Sequence, residues 1–512
     1  MSRATGAGRV RGRTGAARVG AAVVAVAMAG TMAACSSAKA DAPITTGAPT
    51  TTTAPPPPAA GPVTLGAAAL GVNVAAWDSV YTGANVSPIN ALLQSSGIGL
   101  LRFPGGTWAD EYDWNTNSDT SRCSGSTATP SCSDTDPLGF DAFASQAQAL
   151  GASTFLTVNY GSGTPAEAGS WVTYANGLHP QGSTLWEVGN ESYACYEANQ
   201  HLAGSPTYVR GYSPNGPVCP PTSVMADSFA VNAVPYLNAM KQADPTAQIG
   251  VPWAFSQAET VGAGIHDPTA WNDTVLPAVK SDISFVDAHW YPFDTVNGFS
   301  DQQILATVNA IPAAAADIRS TLQRLDPTAY FVVGETNISS VQSPLAFQPV
   351  SALFAAATNL EWLAQGAQTV DWWDLSNFGS PTTGDYGLLS SGAPETTPAG
   401  TPLAPYYGEK LASALTTSGS HLEAITTGSP NVFEFQSTLK KQQRVLFVNT
   451  DPNAPTTIGN GWFTKGQKIE LSTYSAATSG SAEPIVHATV TSGAHLSLPA
   501  MSIVVESGPA PS

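Results

Sequence analysis

The chain carries TLWEVGNE at residues 184–191, a short apolar run that ends in polar residues. Seven further runs of this kind alternate with amphipathic stretches of helix length, at 69–74, 99–103, 154–159, 248–252, 285–289, 330–333 and 369–373. Continuous apolar strands that alternate with helices indicate a parallel sheet covered on both faces. Eight of them predict an α/β fold, a (β/α)8 TIM barrel over residues 63–418. An open doubly wound sheet is the alternative, but no glycine-rich phosphate loop follows the first run.

The carboxyl-terminal part of the chain has a different pattern. Apolar and polar residues alternate in five stretches between 432 and 506, which are separated by Gly, Pro and Asn and contain no helical period. We predict an all-β sandwich over residues 419–512, lying wholly after the barrel.

The amino terminus has the pattern of an export signal. Five arginines precede an apolar run at 19–32, which is too short to span a bilayer comfortably, and MAAC follows at 32–35. MAAC resembles a bacterial lipobox, so residues 1–35 are predicted to be a lipoprotein signal peptide with lipidation at Cys35. Ordinary signal-peptidase cleavage nearby is the alternative. Residues 36–62 form a Pro/Thr-rich linker. The protein is therefore expected outside the cell, on the bacterial surface, held to the membrane only by its lipid.

The remaining cysteines fit an oxidising compartment. Apart from Cys35, the chain has four, an even number: Cys123, Cys132, Cys195 and Cys219. Proximity favours the disulfides Cys123–Cys132 and Cys195–Cys219, although four cysteines allow three pairings. A zinc site is the alternative, but neither a CxxC pair nor a histidine cluster is present. We expect no metal and no organic cofactor.

The charge distribution excludes one class of partner. The formal net charge is −18, and the first twenty residues hold the one arginine-rich stretch. A nucleic-acid partner is not expected, because such proteins carry a basic patch. The oligomeric state is left open by the sequence.

Polar residues stand where the apolar runs end, and in a TIM barrel those ends meet at one mouth. Glu191 follows the fourth run and Glu335 the seventh, so the two carboxylates should face each other across the mouth. Cleavage of a glycosidic bond uses one carboxylic acid to protonate the leaving oxygen and a second carboxylate at the anomeric centre. This pair predicts a glycoside hydrolase. Asp287, Asp371 and Asp374 have no matched partner and are interpreted as structural.

Several segments carry a family resemblance. LRFPGGTWADEYDW (101–114), TVNYGSGTPAEAGSWVTYANG (157–177), WEVGNE (186–191), HWYP (289–292) and LPAMSIVVE (498–506) resemble the clan A glycoside hydrolases. The likeness is greatest to the family 51 type of α-L-arabinofuranosidase and runs through most of residues 69–506.

The resemblance implies a role for each matching residue. Glu191 would be the acid/base and Glu335 the nucleophile of a retaining double displacement on an oligosaccharide or polysaccharide. The residues expected to bind substrate or to orient Glu335 are Asn190, Arg102, Asn159, His289, Tyr291 and Trp372, the last as part of a sugar platform. A transglycosylase of the same fold and a non-catalytic carbohydrate-binding surface lipoprotein are the alternatives.

Overall fold

The computed structural model describes residues 61–119, 123–126, 129–132, 135–178, 184–194, 197–202, 220–255, 268–392 and 397–510. The predicted signal peptide, the lipidation site Cys35 and almost all of the linker lie outside these residues, as do Cys195 and Cys219. Cys123 and Cys132 stand opposite each other in an antiparallel pair of short strands, Cys123–Ser126 and Thr129–Cys132. Both disulfides remain predictions.

Eight parallel strands close into a barrel, so the predicted fold class is confirmed. In chain order the strands are β1 (Leu70–Asn73), β2 (Leu100–Phe103), β3 (Ser153–Val158), β4 (Thr184–Val188), β5 (Gln248–Trp253), β6 (Phe285–Trp290), β7 (Tyr330–Thr336) and β8 (Val370–Trp372). Each pairs with its neighbours in sequence, and β8 pairs with β1. All eight apolar runs form barrel strands.

Helices cover the outside of the barrel. They are α1 (Val86–Ser95), α2 (Phe140–Leu150), α3 (Pro165–Leu178), α4 (Thr222–Ala243), α5 (Pro268–Val279), α6 (Asp301–Ala306), α7 (Ile311–Leu325), α8 (Pro349–Ala364) and α9 (Ala404–Ala412). In α7 the buried residues Ile311, Ala315, Ile318 and Leu322 recur every three or four positions, which gives the helix one apolar face toward the barrel. Over the described ranges, none of the helices has the length and apolarity needed to cross a bilayer.

The carboxyl-terminal domain is built from antiparallel strands. It contains β9 (His421–Ile425), β10 (Val432–Leu439), β11 (Gln442–Asn449), β12 (Thr456–Gly459), β13 (Lys468–Ser475), β14 (Val486–Thr491), β15 (His495–Leu498) and β16 (Ser502–Pro509). Strands β12 and β15 form a small second sheet, and apolar residues from both sheets pack together. One detail differs from the prediction: Val63–Thr64, which precedes the barrel, pairs with β9 at the edge of the larger sheet.

Two layers of side chains inside the barrel explain where the site lies. The lower layer is apolar and contains Leu100, Phe155, Leu185, Phe285 and Val332. Two residues further along the same strands, where side chains return to the same face, stand Arg102, Thr157, Glu187, Asp287 and Gly334. A Cβ at Gly334 would lie 2.2 Å from Asp287 Oδ2, so the missing side chain makes room for a buried carboxylate. The barrel interior therefore becomes polar just below its carboxyl-terminal mouth.

Candidate active site

Arg102 lies at the centre of the site and is fully buried. Its Nη1 donates to Glu335 Oε1 at 2.7 Å and to Asn73 Oδ1 at 3.0 Å. Its Nη2 donates to Glu187 Oε2 at 2.9 Å and to Asn190 Oδ1 at 3.0 Å. Burial disfavours the charged guanidinium, but the carboxylates of Glu187 and Glu335 outweigh burial and raise the pKa of Arg102. This one cation joins side chains from β1, β2, β4 and β7.

Glu335 is held at both carboxylate oxygens. Besides the Arg102 contact at Oε1, the Tyr291 hydroxyl donates to Oε2 at 2.7 Å. Burial, and then the negative charge of Glu335, raises the pKa of Tyr291 well above its ordinary value, so the phenol keeps its proton and remains a donor. The carboxylate therefore has a fixed orientation at the end of β7.

Glu191 has a more open environment than Glu335. Its side chain is 14% exposed, compared with 6% for Glu335. The Tyr193 hydroxyl donates to Glu191 Oε1 at 3.2 Å, and His289 Nδ1 lies 2.9 Å from the same oxygen. A Glu191 carboxylate oxygen, a Glu335 carboxylate oxygen and a His289 ring nitrogen all lie within 4.8 Å of one another. The structure thus brings the two predicted carboxylates together.

A tight turn after β4 presents Glu191 to the mouth. Gly189 has φ +74°, and a Cβ there would come within 2.5 Å of Ser192 Oγ and 2.9 Å of Tyr160 Cβ. Glu191 itself has φ +42°. A glycine is required at position 189 because both its backbone conformation and the close approach of its neighbours exclude a side chain.

His289 lies between the two carboxylates and a third, Asp287. Burial disfavours the charged imidazole, but the negative charges of Glu335 and Asp287 and the hydrogen bonds of His289 raise its pKa well above the ordinary value. A charged imidazole donates from both nitrogens, from Nδ1 to Glu191 and from Nε2 to Asp287 Oδ2 at 3.2 Å. Nε2 also lies 3.3 Å from Arg102 Nη2. Because both of those nitrogens then carry hydrogens, the hydrogen bond of Nε2 is the one to Asp287.

Asn190, predicted to bind substrate, is held from three sides. Its Oδ1 accepts from Arg102, its Nδ2 donates to Glu197 Oε1 at 3.1 Å, and its backbone N–H donates to Asp110 Oδ2 at 3.2 Å. Burial raises the pKa of Asp110 to about 8. Glu197 was not among the site residues predicted from the sequence.

Two further buried acids belong to the site. Glu187 was not among the residues predicted from the sequence, and Asp287 was interpreted as structural. Glu187 accepts from Arg102, and burial, then the negative charge of Asp287, raises its pKa to about 8. Asp287, interpreted as structural, contacts His289 and also accepts from the Gly334 backbone N–H at 2.6 Å. The signal was available in the strand period, because both residues stand two positions after an inward-facing apolar residue.

Asn159, predicted to bind substrate, is held by hydrogen bonds of its amide. Its Oδ1 accepts from the backbone N–H groups of Ser162 and Gly163, at 2.8 and 3.0 Å. Its Nδ2 donates to Tyr112 O at 3.2 Å and to Ser162 Oγ at 3.0 Å. These bonds hold the loop after β3 against the loop after β2, and a contact between Asn159 and substrate stays a prediction.

Trp372 does not have the position predicted for a sugar platform. It is fully buried, packs edge-on against Phe354 of α8, and donates from its indole N–H to Tyr386 O at 3.0 Å. Trp373 is the neighbour that points toward the mouth. Its ring packs over Gly106, where a Cβ would lie 2.7 Å from the indole, and its centroid is 6.1 Å from that of Trp77. Trp373, and not Trp372, therefore has the position expected of a sugar platform.

Among the residues that the structure describes, two groups of side chains have the spacing of a metal site, Glu187–Asp287–His289 and Glu191–His289–Glu335. Arg102 lies within 3.7 Å of Glu187, Asp287 and Glu335. A metal ion there would be repelled by the guanidinium, which already supplies positive charge to these carboxylates.

Comparison with known proteins finds partial sequence similarity to arabinofuranosidases. No family model matches the chain. The alpha-L-arabinofuranosidase C of Emericella nidulans is 22% identical over 218 residues, which cover 38% of this chain and 36% of that protein. The intracellular exo-alpha-(1->5)-L-arabinofuranosidase of Bifidobacterium longum is 25% identical over 222 residues, 40% of this chain and 34% of the relative. The chain thus matches about a third of the length of these two curated relatives, and 25% of a probable alpha-L-arabinofuranosidase C of Aspergillus niger.

Solved structures match over nearly their whole length. The alpha-L-arabinofuranosidase of Thermotoga maritima, in complex with arabinose, has a TM-score of 0.64 at 15% identity and covers 88% of this chain and 98% of its own. CelM2, a bifunctional glucanase-xylanase from a metagenome library, has a TM-score of 0.60 at 16% identity with the same coverage. These structures show the fold, and the curated sequence relatives support the prediction of a glycosidase. The chain has the barrel-and-β-domain fold of clan A glycoside hydrolases, and its predicted likeness to the family 51 α-L-arabinofuranosidases is confirmed.

Proposed function

We propose that the protein is a retaining glycoside hydrolase acting on an α-L-arabinofuranoside or a similar pentofuranoside. The observation that carries the proposal is the carboxylate pair, with Glu191 and Glu335 oxygens within 4.8 Å of each other in unlike environments. Retaining enzymes place their carboxyl groups about 5–5.5 Å apart, whereas inverting enzymes need about 6.5–9.5 Å to admit a water molecule.

In the first step Glu335 attacks the anomeric carbon and the glycosidic bond breaks. Arg102 and Tyr291 hold the attacking carboxylate, and both contacts act on its orientation. Glu191 gives a proton to the departing oxygen, so that the leaving group departs as a neutral alcohol. Before the reaction this proton lies on the charged imidazole of His289, whose Nδ1 is 2.9 Å from Glu191 Oε1, and it passes through Glu191 to the departing oxygen.

In the second step a water molecule replaces the leaving group. Glu191, now a carboxylate, takes a proton from that water, and the oxygen attacks the anomeric carbon and displaces Glu335. Asn190 holds the sugar at its 2-hydroxyl, where contacts strengthen as the oxocarbenium-like charge develops. The configuration at the anomeric carbon is retained because it is inverted twice.

Aromatic side chains at the mouth support a carbohydrate substrate. Trp77 and Trp108 are half-buried, their ring centroids are 5.1 Å apart, and Trp77 lies 6.1 Å from Trp373. Aromatic rings pack on the apolar faces of sugars. The Trp108 indole is oriented by a hydrogen bond to Asp136 Oδ2 at 3.2 Å. The preference for arabinofuranosides rests on the named relatives.

Release of aglycone from a panel of aryl furanosides and pyranosides tests the activity, and NMR of the first-formed product tests retention. We expect release from α-L-arabinofuranosides with retained configuration. Inversion would overturn the mechanism but leave a glycosidase. Transfer to added sugar in preference to water would identify a transglycosylase. No release from any substrate would favour a binding protein.

We also propose that the enzyme is a surface lipoprotein, on the strength of the MAAC segment and the preceding apolar run. In bacterial expression, Cys35→Ala should move the protein from the membrane fraction to the medium or block its processing. A variant that is correctly cleaved and still fractionates with membranes would contradict lipidation at Cys35.

A further inference from the structure

Glu197 is a buried acid that the mechanism above does not use. It lies six residues after Glu191 and is 2% exposed. Two backbone hydrogen bonds link this segment, with the Ala194 N–H donating to Glu191 O at 2.6 Å and the Glu197 N–H donating to Ala194 O at 3.2 Å. The backbone that presents Glu191 therefore also returns Glu197 to Asn190.

The contacts of Asn190 depend on which of its amide atoms, Oδ1 or Nδ2, faces Arg102. A guanidinium has only donors, so the Asn190 atom that faces Arg102 at 3.0 Å must be Oδ1. Nδ2 then faces Glu197 Oε1 at 3.1 Å, and this oxygen must accept. Thr107 Oγ1 donates to the same Glu197 oxygen at 3.1 Å. One N–H of Nδ2 is used by Glu197, and the other has no partner among the described residues and can bind a ligand.

The charge of Glu197 matters as well as its position. The titratable groups that act on it are Asp110, from the loop after β2, and Glu191, at the end of β4. Burial, and then the negative charges of Asp110 and Glu191, raises the pKa of Glu197 well above its ordinary value. A neutral carboxylic acid still accepts at Oε1. Its other oxygen, Oε2, is buried and has no hydrogen-bond partner among the described residues.

We propose that Glu197 is a positioning residue that locks the amide of Asn190 between Arg102 and itself, so that the free N–H of Asn190 faces the sugar. The proposal rests on the glycosidase function above, because it assigns Asn190 a substrate contact. It predicts that the function of Glu197 needs an acceptor oxygen at Oε1 and no negative charge.

Two substitutions separate these requirements. Glu197→Gln keeps an acceptor at Oε1 without an ionisable group, whereas Glu197→Ala removes the acceptor. On an aryl arabinofuranoside we expect Gln to keep kcat within about threefold and to leave the pH profile unchanged. Ala should lower kcat about tenfold or more, with a smaller change in KM, because the lost contact strengthens in the transition state. Normal activity in Glu197→Gln together with a loss in Glu197→Ala would show that Glu197 acts by accepting a hydrogen bond and not through its charge.

The chain offers a matched control pair. Asn359 Nδ2 donates to Glu409 Oε1 at 2.6 Å between α8 and α9, and Glu409 is as buried as Glu197. Glu409→Ala and Glu409→Gln should both leave kcat and KM unchanged after correction for the folded fraction. If Glu409→Ala loses as much kcat as Glu197→Ala, the effect of Glu197 is general destabilisation and the proposal is overturned. Equal losses of kcat in the two Glu197 variants would also overturn it.

Crystal structures of both Glu197 variants give a readout that does not depend on activity. The contact between Asn190 Oδ1 and Arg102 Nη2 should persist in Gln and be lost or divided between conformers in Ala. An unchanged Asn190 in the Ala structure would refute the proposal even if the enzyme proves inactive. Conversely, failure of the wild-type protein to release any aglycone would refute the proposed function and leave the structural test decisive.

Discussion

Two buried Glu–Asn pairs in this molecule look alike locally and differ in what surrounds them. In each, an Asn Nδ2 donates to a Glu oxygen, and burial raises the pKa of the acid. The Glu197–Asn190 pair continues through Arg102 to Glu335. In the Glu409–Asn359 pair, Asn359 Oδ1 has no hydrogen-bond partner in the part of the chain that is described. A buried acid therefore indicates function only where its hydrogen bonds lead to other groups able to react.

The largest effect on activity is expected at Glu335, which Asn190 reaches through Arg102. Glu335→Ala should lower kcat roughly 10⁴-fold or more on every substrate, because no covalent intermediate can form. Single-turnover assays with aryl arabinofuranosides measure this. Glu335→Gln, which preserves shape, should be comparably inactive while keeping its fold by circular dichroism. Near-normal activity of Glu335→Ala would place the nucleophile elsewhere.

Glu191→Ala should have an effect that depends on the leaving group. For substrates that need protonation, kcat/KM should fall about 10²–10⁴-fold. For activated aryl glycosides, breakdown of the intermediate becomes limiting, and added azide should restore turnover by attacking without a base. Rates for a series of leaving groups, with and without azide, check this. A uniform loss that azide does not relieve would contradict the acid/base role.

Arg102→Met tests whether the cation holds the mouth together. Removing it leaves several carboxylates buried without a counter-charge, which should lower the free energy of unfolding by about 3–5 kcal/mol. Arg324→Met is the control. Arg324 donates to Asp273 at 2.7 Å, but the two side chains are 55% and 40% exposed, so less than about 1 kcal/mol is expected. Urea unfolding at constant pH compares them. Similar losses of unfolding free energy in both variants would mean that the buried Arg102 stabilises the fold no more than an exposed ion pair does.

A further prediction concerns the pH dependence of stability that arises from the Glu409–Asn359 pair. Burial raises the pKa of Glu409 from 4.5 to about 8. Its neutral form stabilises the fold fully below pH 4.5, and that contribution is lost as the pH rises toward 8, by at most about 1.4 kcal/mol per pH unit. Glu409→Gln should therefore flatten the decline of melting temperature between pH 5 and 8. A slope identical to that of the wild type would show that Glu409 does not titrate in this way.

The strand pattern predicted the fold well because a barrel strand buries both faces and its polar end marks the mouth. Glu191, Glu335, Arg102, Tyr291 and His289 all follow from that rule. Alternation along β8 requires only that Trp372 and Trp373 face opposite ways, and the sequence does not say which of them faces the mouth. The structure places Trp373 on the side of Asp371, over Gly106, and Trp372 against α8.

Residues that reach the site through a turn were not predictable from the strand pattern. Glu197 contacts Asn190 from a segment beyond the end of β4, and Asn159 is bound to its own loop. Neither arrangement produces a regular spacing of apolar residues that could be recognised in the sequence. The pairing of Val63–Thr64 with β9 joins residues more than 350 positions apart, and two residues are too few to show alternation.

That short strand determines how a mechanical load enters the molecule. Leu65 extends the contact, donating to Ser420 O and accepting from the Gly419 N–H, both at 2.9 Å. A pull on the amino-terminal side of residue 63 therefore acts first on the edge of the carboxyl-terminal sheet, whereas β1 begins only at Leu70. The few hydrogen bonds between this segment and the sheet would break first under such a force. Only then would the force reach β1 and the barrel wall that holds Arg102.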